Sequence, residues 1–321
     1  MAKQKETQGC CEQFKTLIGG QALIEGILMR GPDKQAIVVR SKDGLVKKVD
    51  DLKLTKKRSA LARVPFIRGI FTFGGSMVNG IRALLFSAEY FPEEEGGSGE
   101  PSKLERWIEQ HFGSEKLEQF IIYSAADLGI GLSVGLFILL PTLISGLIPG
   151  LYDNHMARNL VEGLLKIIIF MGYMILVSQM KDMKRVFSYH GAEHKTIRCY
   201  EARLPLTVEN VRPMSRFHPR CGTSFLLVVV CISILCGAAI QVSNTLLRMG
   251  LHLLMLPIIV GISYEINRFA GRHDNWFTHM LSAPGMAMQK FTTQEPDDSM
   301  IEVAIEAMRE VIPEQEGEDQ W

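Results

Sequence analysis

His190-Gly191-Ala192-Glu193-His194 sets two imidazoles four positions apart with a carboxylate between them. On a helix, residues i and i+4 lie one above the other, so both rings can reach a single metal ion. Glu193 directly precedes the second histidine, near enough to serve as general base on a metal-bound water. The H-x-x-E-H order is that of the inverted zincin motif, and the chemistry it suggests is metal-assisted hydrolysis. Other donor types gather nearby. His218-Pro219-Arg220-Cys221-Gly222 reads as half of a zinc knuckle, with ligands at i and i+3 around a tight turn. Glu265 lies downstream at a spacing comparable with that of an inverted zincin's carboxylate ligand. Glu201 is a nearer candidate, and His273 and His279 follow.

Three arrangements compete for the same two histidines. The first is a catalytic centre of His190, His194 and Glu265, with Glu193 as base. The second is a closed structural site of His190, His194, His218 and Cys221. In the third no metal binds, and the rings pack and hydrogen-bond. Imidazole with carboxylate suits zinc by default, and iron or manganese also fit such donors.

The elements that must position these residues divide the chain into two regimes. The formal net charge is zero, with 35 basic and 35 acidic residues, which argues against nucleic acid as a partner. Residues 1–119 and 267–321 are polar and charged, whereas 120–266 holds four long apolar runs. Leu128–Tyr152 and Gly222–Leu247 contain no charged residue, and a bilayer core needs ~20 predominantly apolar residues. The run 160–180 carries Glu162 and Lys166 in its first turns, where they are expected to snorkel to the interface. The run 249–266 is the shortest. No apolar leader is expected in the first twenty residues, so insertion would rely on internal helices. The six cysteines, among them adjacent Cys10 and Cys11, do not form a secreted disulfide framework. Acylation of Cys10 and Cys11 is a minor alternative to free thiols.

Nine Lys/Arg lie between Lys181 and Arg220, against Arg158 alone between the first two runs. The positive-inside rule then places the motif loop 181–222 and both termini in the cytoplasm. In the N-terminal region, Ala36–Arg40 and Lys42–Val46 read as a β-hairpin about Asp43-Gly44, a type I′ signal. Residues 64–90 carry Arg68, Thr72, Ser76, Asn79 and Arg82 on one helix face, the pattern of an amphipathic helix on the membrane or the bundle. A fifth span there is disfavoured by two arginines, at ~2.5–3.5 kcal/mol each. Glu93–Ser102 is an acidic linker, 103–119 an interfacial helix, and Asp297 and Asp298 cap a helix over Ser299–Val311. Asp127, at the start of the first run, is either a solvated helix-start acid or part of a polar path. Arg268 and Arg272, one turn apart beyond Glu265, are candidate contacts for an anionic substrate or lipid phosphate. Arg30 is a further anion contact within the Gly-rich string 19–32, and Glu25 of that string is an additional candidate ligand.

Several strings together resemble one family. They are Gly19–Gly26 continuing to Met29–Pro32, His190–Thr196, Arg216–Phe225, and Thr292–Asp298 before the last helix. The chain is identified as a member of the YqhQ-like family of uncharacterised bacterial membrane proteins, over about residues 17–311. The resemblance implies a multi-span architecture in the bacterial cell membrane and a metal at His190, Glu193 and His194. It implies no particular substrate.

The expectation is therefore a polytopic α-helical membrane protein of about four transmembrane helices with a small N-terminal α+β cytoplasmic region. Its parts are residues 1–63 with the hairpin, 64–119, the membrane region 120–266 and the C-terminal segment 267–321. The expected function is zinc-dependent hydrolysis of a peptide, amide or lipid-linked substrate at the cytoplasmic membrane surface. A membrane scaffold with a structural zinc and a cytoplasmic protein partner is the main rival, and an iron-dependent oxidase or hydroxylase the second.

Overall fold

The computed structural model describes residues 14–52, 64–90, 114–151, 154–273, 275–315 and 317–320, with side chains from 124 onward in the first long helix. Cys10, Cys11 and the expected linker at 93–102 lie outside the described residues, as does most of the helix expected over 103–119. The chain is mostly helical with one small sheet. Strands β1 (Gly19–Leu23), β2 (Gly26–Arg30), β3 (Lys34–Ser41) and β4 (Gly44–Asp51) form an antiparallel meander in sequence order. The β3–β4 hairpin turns one residue earlier than Asp43-Gly44. Ser41 pairs with Gly44, so Lys42 and Asp43 form the loop, and neither takes the positive φ of a type I′ turn.

Strand alternation gives this sheet two apolar faces. Ile27, Met29, Ala36 and Val38 pack on helices α5 (Lys181–Glu201) and α10 (Asp298–Arg309). Asp297 caps α10, its side chain accepting from Met300 N at 3.0 Å. Leu23, Leu28, Ile37 and Val39 face the other way, onto Ala83, Leu84 and Phe86 of α1 (Ile67–Glu89). The sheet is thus held between helices on both sides. On α1, Thr72, Ser76 and Asn79 line two cavities on the inner side, whereas Phe71, Met77 and Val78 are exposed. This is the amphipathic division expected of 64–90.

The remaining helices form a bundle. Helix α2 (Ser114–Val134) runs through a wide π turn (Gly135–Leu139) into α3 (Leu140–Leu147), followed by α4 (His155–Gln179). After α5 and the short α6 (Val208–Val211) come α7 (Gly222–Ala238), α8 (Thr245–Arg272) and α9 (Trp276–Thr292). Helices over Ile67–Glu89, Ser124–Leu147, His155–Gln179 and Thr245–Arg272 are long and apolar enough to cross a membrane, and α7 is shorter. The apolar run 222–247 is not one helix. It breaks after Ala238, and Asn244 caps α8, accepting from Leu247 N at 3.0 Å. The fourth run is accordingly part of a 28-residue helix rather than the shortest of the set. Helix α9 lies in the segment for which only the last helix was expected. Asp127 is exposed.

Leu160, Leu176, Leu235 and Leu254 point outward, each about two-thirds exposed or more. The interior between α3, α4 and α8 is polar instead. Glu162 accepts from Thr142 Oγ1 at 2.9 Å and Arg248 Nε at 2.9 Å, and its carboxylate lies 2.6 Å from His252 Nε2 and 3.3 Å from Lys166 Nζ. Arg158, fully buried, donates to Ser243 O at 2.7 Å and Thr245 Oγ1 at 3.0 Å. Glu162 and Lys166 therefore do not snorkel. They are buried among partners because α8 brings Arg248 and His252 opposite them.

Candidate metal centre

Helix α5 carries both histidines. It starts just after α4 ends and packs its Tyr189, Ala192, Ile197 and Cys199 into the core beneath the sheet. Gly191 lets this helix approach the strand-like segment before α10, since a Cβ there would overlap the carbonyl oxygen of Gln294. That closeness brings Thr292, at the end of α9, alongside His190.

Each imidazole is oriented by a backbone carbonyl. His190 Nδ1 donates to Thr292 O at 2.8 Å, and His194 Nδ1 donates to Arg216 O at 2.6 Å. A carbonyl only accepts, so Nδ1 is the donor in both rings and Nε2 is the nitrogen available to a metal. This is the orienting pattern of metal-ligating histidines, whose second nitrogen is tied to a carbonyl or carboxylate. The ring centroids are 4.4 Å apart. His190 Nε2 lies 3.2 Å from Cys221 Sγ, and ligand atoms of His190, His194 and Cys221 all fall within 4.8 Å of one another. Cys221 is the N-cap of α7, and its sulfur accepts from Thr223 N at 3.4 Å.

Glu193 is almost fully buried on the side of α5 that meets the sheet. Its Oε1 accepts from Gly20 N at 3.0 Å, while Oε2 is buried with no hydrogen-bond partner among the described residues. Burial pushes its pKa up, against smaller opposing effects of His190 and the Gly20 amide. Gly20 needs its missing side chain, because a Cβ would sit 2.7 Å from Leu28 O and 3.0 Å from Glu193 Cδ.

The other expected ligands go elsewhere. Glu265 accepts from Phe66 N at 3.2 Å and from both Arg68 nitrogens, Nε at 2.6 Å, and is not in the His190–His194–Cys221 group. The paired arginine answers its charge, so the carboxylate has no need of a metal. His218 lies beside His194, with ring centroids 5.6 Å apart, but both its nitrogens are engaged. Arg220 N donates to Nδ1 at 3.4 Å, and Nε2 faces Glu201 Oε2 at 3.3 Å. Burial holds its pKa down to about 4 despite Glu201. Glu201 also accepts from Thr16 N at 3.0 Å and from Arg220. Glu25, in the β1–β2 turn, is held by Arg185 and by Tyr189 Oη at 3.0 Å. His273 donates to Phe269 O, and neither it nor His279 joins the group. Arg30 lines a 280 Å³ cavity with Gly20, Gln21 and Asn79, while Arg268 and Arg272 line another of 370 Å³.

Two positioning groups escaped sequence reasoning. Gln289 of α9 grips the His218 backbone on both sides, accepting from its N at 2.8 Å and donating to its O at 2.7 Å. Thr292 offers His190 its carbonyl, which no side-chain type announces. Glu162 was expected at the interface, whereas its buried partners Arg248 and His252 were signalled only by a basic residue and a histidine one turn apart at the start of an apolar run.

The molecule is thus a bundle of long apolar helices bearing a small sheet, with a His/His/Cys cluster where the two meet. Residues 64–314 match the family described as "Protein of unknown function (DUF1385)", and the chain belongs to that family. It is similar to the "Uncharacterized protein YqhQ" of Bacillus subtilis (strain 168), with 33% identity over 302 residues, covering 92% of each chain. No solved structure matches it.

Proposed function

We propose that the protein is an integral membrane protein whose His190, His194 and Cys221 hold a zinc ion for hydrolysis at the cytoplasmic membrane surface. The observation that carries this is the pair of imidazoles whose Nδ1 atoms are tied to Thr292 O and Arg216 O, with His190 Nε2 3.2 Å from Cys221 Sγ and a ligand atom of each residue within 4.8 Å of the others. Three protein ligands with an open fourth position are the habit of catalytic zinc, and bound zinc supplies a Lewis acid and an acidified water. The residues fit such an ion, since two neutral imidazoles and a thiol at a helix N-terminus are suitable donors. Glu193 would hold and return a proton at Oε2, the carboxylate oxygen with no hydrogen-bond partner among the described residues, and burial raises its pKa in the direction that favours holding the proton. Manganese would be less well served by the thiol, whereas iron also accepts imidazole and thiolate donors. Substrates in keeping with this site are peptides, amides or lipid-linked compounds.

The outward leucines of α2, α4, α7 and α8 and the polar interior between them support a crossing by these helices, with α3 completing the first. Helix α1 lies instead along the membrane face, because its inner stripe covers the sheet. The nine basic residues of 181–220 support a cytoplasmic side for the centre and both termini.

Near-complete burial of His194 and Cys221 favours a second reading, a structural zinc in a scaffold that binds a cytoplasmic protein. Metal analysis of detergent-purified protein separates the two. Wild type and Glu193→Gln should carry zinc, His190→Ala and Cys221→Ser should lose it, and Glu193→Gln should lose turnover on a panel of amide and ester substrates. A wild type that hydrolyses while Glu193→Gln matches it would leave no role for the base. A wild type without metal would sink both readings.

A further inference from the structure

A cavity of about 370 Å³ opens where the first turns of α1 meet the last turns of α8 and the 219–220 turn. Its wall carries Arg68, Arg220, Arg268 and Arg272 together with Tyr264 and Asn267, and no carboxylate lines it. Two of the four guanidinium charges are answered from behind, Arg68 by Glu265 and Arg220 by Glu201. Arg268 and Arg272, one helical turn apart, make no hydrogen bond or close ion pair among the described residues; Arg268 shares the field of Glu265 with Arg68, so Glu265 still answers only one charge. Four positive charges against two leave a surplus of two. Arg268 is half-buried, so its charge is only partly relieved by water.

Favourable interaction with the C-terminal end of α8 would account for Arg272 alone. It does not account for arginines from α1, from the turn before α7 and from α8 converging on one concavity. Guanidinium groups match phosphate oxygens in pairs, and a phosphate monoester carries ~1.5 to 2 negative charges, close to the surplus. The size is within the range of small-ligand sites.

We propose that this cavity binds a phosphate-bearing anion. The apolar body of α8 ends at its edge, so a dissolved phosphate compound and a phospholipid headgroup both reach it. The site does not depend on the metal reading. Arg268→Gln with Arg272→Gln removes the surplus without orphaning a carboxylate, and Lys181→Gln with Lys184→Gln, at exposed positions on α5, removes two charges elsewhere.

The test is calorimetric titration of full-length, detergent-purified protein with inorganic phosphate and, separately, with short-chain phosphatidic acid. Binding should be saturable for one of them and weaken at least ~10-fold in the arginine double variant, since a hydrogen bond to a charged group contributes roughly 1.5–3 kcal/mol. The lysine pair should bind as wild type. Binding of inorganic phosphate identifies a dissolved ligand, and binding of phosphatidic acid alone identifies a lipid headgroup. Mass-spectrometric mapping of phenylglyoxal modification on wild type gives a second measurement, in which the bound probe should shield Arg268 and Arg272. The proposal is overturned if neither probe saturates, if the arginine variant binds as wild type, if the lysine variant weakens equally, or if both arginines react unshielded.

Discussion

Two carbonyl oxygens, of Thr292 and Arg216, decide what His190 and His194 are able to do, because they fix which ring nitrogen is free. Neither belongs to the motif. The same logic makes Gln289 important although it touches no candidate ligand atom. Gln289→Ala would leave a buried N–H and a buried C=O of His218 without partners, at ~1–3 kcal/mol each. We expect a loss of about 2–4 kcal/mol in denaturant titrations, and an unchanged midpoint would show that water replaces the amide. His218 itself sets a pH dependence. Its folded pKa of about 4 lies below the usual value for histidine, so the unfolded chain takes up the proton first as pH falls. Stability from this group is complete above about pH 6.5 and is lost as pH drops towards 4, by roughly 3 kcal/mol over 2.5 pH units. Glu201, held below its normal range because His218 and Arg220 outweigh its burial, acts in the same direction at lower pH. His218→Gln should flatten the stability curve between pH 6.5 and 4, and a curve of unchanged slope would contradict this.

Helix α5 holds the assembly together. One side enters the core under the sheet, another presents His190 and His194 to the 216–221 turn, and its start follows directly on α4. Its close approaches depend on glycine at two places. Gly191→Ala would drive a methyl group into the Gln294 carbonyl, which belongs to backbone and cannot rotate away. The α9–α10 connection would then move outward and take the Thr292 carbonyl from His190. We expect a loss of about 1–3 kcal/mol, typical of an overpacked core, together with weakened metal retention. Near-normal stability with full metal content would show that the connection is more pliant than its packing implies. Gly20→Ala meets softer resistance from Glu193 but also the Leu28 carbonyl. The smaller effect should fall on Glu193.

The folded chain has an apolar outside and a charged inside in its helical half, and the reverse in its sheet-bearing half. Such an inversion is what a bilayer around the first half demands, because lipid cannot solvate a charge and only protein partners can. Among the described residues Glu162 is the one carboxylate paired with Arg248, Lys166 and His252 in that interior. Glu162→Gln would keep the shape and remove the counter-charge, so we expect a loss of about 3–5 kcal/mol in mild detergent, the cost of breaking a buried ion pair. Unaltered stability would mean that water reaches the cluster. Orientation is checked in intact cells of a variant lacking the native cysteines other than buried Cys221. Ser299→Cys should be protected from a membrane-impermeant maleimide and His155→Cys should react, and the opposite pattern would invert the proposed topology.

Much of this architecture is written in local patterns. The apolar runs, the amphipathic stripe of 64–90, the Asp297 cap and the His-Glu-His spacing all depend on neighbours within a few turns, which sequence displays directly. The breaks were less plain, as the end of α7 at Ala238 shows, because a Gln-Val-Ser-Asn stretch interrupts a helix without proline or glycine. Long-range pairing was not readable at all. Glu265 had the right residue type and spacing for a ligand, yet Arg68 claims it from 197 positions away. Cys221 and His218 were indistinguishable as donors until Glu201 engaged one and left the other beside His190. Ligand chemistry is a property of residue types, so sequence names the candidates. Which of them meet depends on how helices pack, and that is decided by contacts between segments that no local pattern records.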